Sequence, residues 1–244
     1  MPLYRYSKWL TGSQRYGANN LQLGMWLAFV AGAINAGGFF IVSAYTSHMT
    51  GLVSSAADNL VLGNVSVVLT ALFAVLTFFA GALVCSIVVS FLRRRSKESC
   101  YAFPVFLEAL LLLVFVILGS YSSSDNLLLF LLCFVMGLQN ALITKVSGSV
   151  VRTTHVTGMI TDLGIELGKL MYWNRSGEQR GRRVQADRAK LRALLSLTGL
   201  FFLGGVAGAL GFSLIGVEIS LILSCILFSI SLAPVLDDFV GLSA

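Results

Sequence analysis

Charge is scarce in this chain: Asp, Glu, Lys and Arg together make up 11% of its 244 residues, while apolar residues make up 57%. No globular core of this length hides that much apolar surface, so a soluble protein is excluded and a polytopic membrane protein remains. Histidine is scarcer still, with two residues, and the four cysteines have no paired spacing. Cys85, Cys133 and Cys225 fall inside apolar runs and Cys100 near the start of one, as small buried or lipid-facing side chains do, which argues against disulfide or metal roles. The signatures of soluble enzymes are missing too. There is no Gly-xxxx-Gly-Lys-Ser phosphate loop, no His-Glu-xx-His, no Gly-x-Ser-x-Gly and no dinucleotide fingerprint. The two histidines also lack the i, i+4 spacing that would set them around a metal on one helix. We therefore expect no enzyme, no cofactor and no metal. The first 20 residues, with Arg5, Lys8 and Arg15 among Tyr, Ser and Asn, are polar and do not read as a cleavable signal.

A bilayer core takes about 20 mostly apolar residues per helix, and six runs qualify: about 21–42, 65–92, 102–120, 126–144, 193–215 and 217–236. The expected fold is therefore all-α, a single membrane domain of six transmembrane helices. All 17 basic residues sit before span one, after span two (Arg93, Arg94, Arg95 and Lys97) or between Lys145 and Arg192 after span four. The positive-inside rule then puts both termini and both basic connections in the cytoplasm. The net charge of +6 is thus an orientation signal that also attracts anionic lipid, not a nucleic-acid surface. The stretch 175–192 reads as a solvated basic linker.

The two histidines fall in related segments, Thr46-Ser47-His48-Met49-Thr50-Gly51 and Thr153-Thr154-His155-Val156-Thr157-Gly158. Upstream, Gly32-Ala33-Ile34-Asn35-Ala36 answers Gly137-Leu138-Gln139-Asn140-Ala141; further on, Gly81-Ala82-Leu83 answers Gly208-Ala209-Leu210. The chain reads as two diverged copies of one unit, residues 1–122 and 123–244. Each copy has three spans, so the second enters the membrane from the opposite side, giving the inverted repeat of many secondary transporters. Each histidine segment opens a stretch more apolar than an ordinary loop, read as a re-entrant piece whose Thr before Gly caps a helix. The alternative is a pair of amphipathic helices lying on opposite membrane faces.

Polar groups inside a membrane are expensive, so they nominate the site. The substrate-binding candidates are Asn35, Ser47, His48, Thr50, Gly51, Asn140, Thr154, His155, Thr157 and Gly158. Helix starts favour an anionic ligand, and histidine titrates near neutrality. Asp162 and Glu166, spaced i, i+4, share a helix face, and with Asp58 they are candidates for a cation or proton path; solvated surface partners of Lys169 and Arg175 are the alternative. Glu108, isolated among Phe, Leu and Ala, is expected at the cytoplasmic interface, or protonated or paired if deeper. Gly204-xxx-Gly208 suits close helix approach.

With these residues the chain resembles the YoaK-like family of bacterial integral membrane proteins, domain of unknown function 1275. The marks are Phe40 through His48-Met49-Thr50-Gly51, Gly137-Leu138-Gln139-Asn140-Ala141 and Thr153-Thr154-His155-Val156-Thr157-Gly158. The resemblance covers nearly the whole chain and implies a six-span protein of the bacterial plasma membrane. It implies no substrate. Asn35 stands where the family often has Asp, and Leu52 where Asn often follows Thr-Gly, so a cation or proton role at the acid does not carry over to Asn35. The expected function is a small secondary transporter or permease for a small solute, anions among the candidates, with the bilayer as partner and no nucleic acid. A non-transporting scaffold or a channel is the alternative. A homodimer is compatible with so small a bundle.

Overall fold

The computed structural model describes residues 3–121, 124–148, 153–173 and 183–241. These residues form α-helices joined by turns, with no strand among them. In chain order they are α1 (Leu3–Thr11), α2 (Gly17–Val42), α3 (Met49–Val61), α4 (Val65–Arg94), α5 (Ala102–Ser120), α6 (Asp125–Ser147), α7 (Val156–Met171), α8 (Arg188–Ile215) and α9 (Ile219–Val240). By length and composition α2, α4, α5 and α6 are each able to cross a membrane, as is the 53-residue stretch Arg188–Val240. That stretch breaks at the 3-10 turn Gly216–Glu218, where Gly216 adopts φ 67°. Its two helices then take different partners, α8 lying along α2 and α9 along α5.

The outer faces explain where such a bundle lives. On α4, Leu69, Leu72, Phe73, Leu76, Phe79, Leu83, Ile87 and Phe91 are all exposed, a continuous apolar stripe at helical spacing. Water does not tolerate a patch of that size on a monomer, whereas hydrocarbon does. This is a multi-pass membrane protein. Its core is apolar as well, built from Leu23, Leu27 and Ile34 of α2, Leu112 and Phe115 of α5, Leu132, Met136 and Leu142 of α6, and Leu227 of α9.

With no hydrophobic drive between helices in lipid, close backbone contact takes over, and four Phe-x-x-Gly sequences supply it. A Cβ on Gly32 of α2 would overlap the carbonyl oxygen of Phe201 in α8, and one on Gly204 of α8 that of Phe29 in α2. The second pair repeats the pattern: Gly137 of α6 lies on Phe78 of α4, and Gly81 of α4 on Phe134 of α6. Gly208 sits one turn on, against Ala33.

The polar start of the chain folds into a helix that the hydropathy pattern does not reveal. Pro234 inside α9 has no N–H, so the carbonyl of Ile230 loses its helical donor. The hydroxyls of Ser7 and Thr11 donate to that oxygen at 3.0 and 2.8 Å. Lys8 completes the dock by pairing with Asp237 at 2.8 Å. Of the basic linker, residues 174–182 lie outside the described residues, while α8 begins at Arg188, earlier than the apolar run from 193. Asp187 caps it, accepting from the N–H groups of Ala189 and Lys190 at 2.9 and 3.0 Å.

Candidate functional site

The chain leaves α2 through Ser43 in the left-handed region (φ 53°), with Ala44 N–H returning to Gly38 O at 3.4 Å. The next residues are then held by a side chain from within the helix. Asn35 Oδ1 accepts from Ser47 N–H at 3.2 Å and from Ser47 Oγ at 3.0 Å. At the other segment Asn140 Oδ1 accepts from Thr154 Oγ1 at 2.6 Å, while its Nδ2 donates to Met136 O at 2.8 Å. In both cases an asparagine late in the helix fixes the hydroxyl residue just before a histidine. The residues before those, Thr46 and Thr153, are fully buried, and neither hydroxyl has a partner among the described residues.

The helix starts differ from the sequence expectation. Helices α3 and α7 begin at Met49 and Val156, which makes His48 and His155 the cap positions and puts Thr50 and Thr157 inside the first turn, where they cap nothing. The first backbone bonds run from Leu52 N–H to His48 O (3.2 Å) and from Met159 N–H to His155 O (3.0 Å). Gly51 has another use. A Cβ there would overlap His48 Nδ1 and lie 2.7 Å from Cε1, so the missing side chain is what lets the ring fold over the first turn. Neither histidine side chain caps its helix; at α7 the Val156 amide instead donates to Thr154 O at 2.9 Å.

These two starts face one cavity of about 680 Å³. The first half lines it with Asn35, Tyr45, Ser47, His48, Met49, Thr50 and Phe78, the second with Thr154, His155, Val156, Thr157, Gly158 and Phe201. Phe78 and His155 also wall a second cavity of about 300 Å³ between α4 and α6, where Asn140 lies with Ala82, Gly137 and Thr144. Among the described residues no Asp, Glu, Lys or Arg lines either cavity. Sequence reasoning missed Tyr45, Phe78 and Phe201. The signal for both phenylalanines was the Phe-x-x-Gly pattern, hidden because Phe in an apolar run reads as a lipid-facing residue.

Residues 23–233 match the protein family described as Protein of unknown function (DUF1275). The chain belongs to this family. The match runs from α2 into α9, so it takes in both histidine segments and leaves α1 outside. No curated protein and no solved structure matches the chain.

In this DUF1275 chain the acidic candidates lie away from the cavity lining. Asp58 is exposed on α3. Asp162 pairs with Lys190 at 3.5 Å. Glu166 accepts from Lys169 Nζ at 2.9 Å and from Asp187 N–H at 2.9 Å, with Lys190 at 3.8 Å. The hydrogen bond from Lys169, with that from the Asp187 amide, holds the Glu166 carboxyl below the usual carboxylate range. Asp162 and Glu166 do share a face of α7, and that face is tied to the start of α8. Glu108 is fully buried in α5, with neither carboxyl oxygen hydrogen-bonded among the described residues. The four cysteines are free; Cys85, Cys100 and Cys133 are buried and Cys225 is exposed. Among the described residues no three His, Cys, Asp or Glu side chains gather in a way that would hold a metal ion.

Proposed function

We propose that this chain is a small secondary transporter of the bacterial plasma membrane, both termini cytoplasmic, that moves a small organic anion by alternating access. The observation that carries the reading is the cavity, to which equivalent segments of both halves contribute. Two helix N-termini give it positive potential and two histidine side chains offer hydrogen-bonding nitrogens, with no Asp or Glu among the described lining residues, which favours a carboxylate over an amine. Phe78, Phe201, Met49 and Val156 suit an apolar body on that anion.

The packing supports six spans in two inverted copies. Exchanging α2 with α6 and α4 with α8 maps the α2–α8 contact onto α4–α6, the Gly32–Phe201 contact onto Gly137–Phe78, and the Asn35–Ser47 bond onto Asn140–Thr154. Under this exchange the counterpart of Gly81 is Gly204, one turn before the Gly208 that sequence matching selects. Helices α3 and α7, with 13 and 16 residues, are too short to cross a core about 30 Å thick at about 1.5 Å per residue. That length suits the re-entrant reading, which brings His48 and His155 to one site.

The test is ligand-dependent stability. Purified protein in lipid nanodiscs is heated with a panel of small carboxylates and their matched amides and amines. Binding at about 100 times Kd adds about 2.7 kcal/mol, so a carboxylate should raise the melting temperature while its amide does not. His48→Ala and His155→Ala should abolish the rise and keep the unliganded melting temperature. Stabilisation by amines, or by nothing in the panel, contradicts the reading.

A further inference from the structure

The cavity leaves one ionisable group without a role. Glu108 is the seventh residue of α5, about 10 Å along the helix at about 1.5 Å per residue. It is fully buried, and both its oxygens lack a partner among the described residues. Most of the other described acids are accounted for: Asp162, Glu166, Asp237 and Asp238 are in ion pairs, and Asp187 caps a helix. No such device serves Glu108.

Among the described residues nothing forms an ion pair with it. Helix α5 packs on α9, α6 and α4. From α4 the titratable neighbour is the Cys85 thiol; from α6 the charged group on that side is Lys145, whose Nζ donates to Ser90 Oγ at 3.1 Å. From α9, Ser224 reaches the neighbouring residue of α5, its hydroxyl spent on the carbonyl of Ala109 at 2.8 Å. The acid of α9, Asp237, is held by Lys8 and Tyr4. In the turn before α5, Glu98 accepts from Ser13. Among the described residues no charged group offsets the burial of Glu108. An ionised carboxylate enclosed without a partner is among the most costly arrangements in a protein interior, whereas the neutral acid is tolerated.

We propose that Glu108 is a proton-binding site, and that gain and loss of its proton sets the conformational state of the bundle. With the proton on, α5 closes over the acid as described here. Loss of the proton to water leaves a carboxylate that this packing does not accommodate, so α5 must part from α4 or α9 until water reaches it. Acid therefore favours the enclosed state and alkali the opened one. In a transporter this makes the proton the coupling ion, and that last step alone rests on the proposed function.

Dicyclohexylcarbodiimide, an apolar reagent that adds to carboxylic acids carrying their proton, tests the site with no solute present. The protein is treated in liposomes of phosphatidylethanolamine and phosphatidylglycerol, from mildly acidic to mildly alkaline buffer, and mapped by mass spectrometry. The expected result is an adduct on Glu108 that falls as pH rises, is lost in Glu108→Gln, and has no counterpart on the ion-paired Glu166. Absence of the adduct, or a yield indifferent to pH, overturns the proposal. A second arm follows maleimide labelling of Val156→Cys in a Cys225→Ser background over the same pH range. Glu108→Gln should hold labelling at its acid level throughout. Labelling whose pH dependence survives Glu108→Gln and disappears in His155→Gln assigns the switch to the histidine and overturns it as well. Because the carbodiimide arm needs no solute, its outcome is separate from a failure to find a bound carboxylate.

Discussion

The dock of α1 on α9 gives a quantitative test of how the bundle manages a missing donor. Ile230 O has two hydroxyl donors, Ser7 and Thr11, in place of the N–H that Pro234 lacks. Removing one hydroxyl leaves the other, so Ser7→Ala and Thr11→Val should each cost less than about 1 kcal/mol, within the range of one ordinary hydrogen bond. Removing both leaves a buried carbonyl unsatisfied, at about 1–3 kcal/mol. In a Pro234→Ala background the restored N–H bonds Ile230 O from within α9, so the same double substitution should lose only the packing of two small side chains and the Thr11 hydroxyl's local bond to Ser7 O at 3.0 Å. The coupling, measured as the difference between the two backgrounds, is then about 1–2 kcal/mol, the size seen between groups of one hydrogen-bond network. The assay is reversible unfolding in mixed micelles, read by circular dichroism. An equal loss in both backgrounds would refute the idea that the hydroxyls stand in for the proline.

Gly137→Ala and Gly81→Ala each force α6 and α4 apart, at about 1–3 kcal/mol as overpacking; one displacement relieves both, so the double variant in the same micelle assay should lose clearly less than the sum. Gly164→Ala and Gly168→Ala, where an added methyl meets open space, should be neutral or slightly stabilising in the same measurement. Acid should loosen the clamp between α7 and α8: the Glu166 carboxyl is depressed in the folded state, so its stabilisation is present above the ordinary carboxylate value of about 4.3 and lost as pH falls through its folded value. Limited proteolysis after residue 183 should accelerate in acid in the wild type, and Glu166→Gln should be fast at every pH.

Most of the architecture was legible because lipid leaves one signal, the long apolar run, and few ways to satisfy a backbone inside it. All six runs agree with helix ends to within about five residues at each end. What escaped was non-local. Helix α1 is polar by composition and gains its place from a carbonyl some 220 residues away, so nothing near Ser7 announces it. Thr-Gly reads as a cap from local pattern, yet in the first segment the glycine serves the His48 ring, a contact that depends on ring orientation rather than sequence. The Asn-to-hydroxyl bonds and the shared cavity were within reach because Asn, Ser, Thr and His are rare in apolar surroundings. Phe78 and Phe201 were not, since an aromatic ring facing a cavity and one facing lipid look alike in a sequence. Glu108 shows the same limit from the other side: a charge seven residues into a span fits an interface by distance alone, and only packing decides that it is enclosed.

In the proposed transporter the two halves meet the membrane in opposite orientations around one site. Side-specific labelling of Leu62→Cys, at the end of α3, and Trp173→Cys, beyond the end of α7, tests that directly, since both positions are well exposed. In a Cys225→Ser background the remaining thiols are buried, and burial pushes that of Cys100 up to about 11, beyond the reach of maleimide at neutral pH. With the halves inverted, an impermeant maleimide should reach position 62 in intact cells and position 173 only in inverted vesicles. Labelling of both positions from the same side would contradict the inverted arrangement, and with it the shared cavity as a transport site.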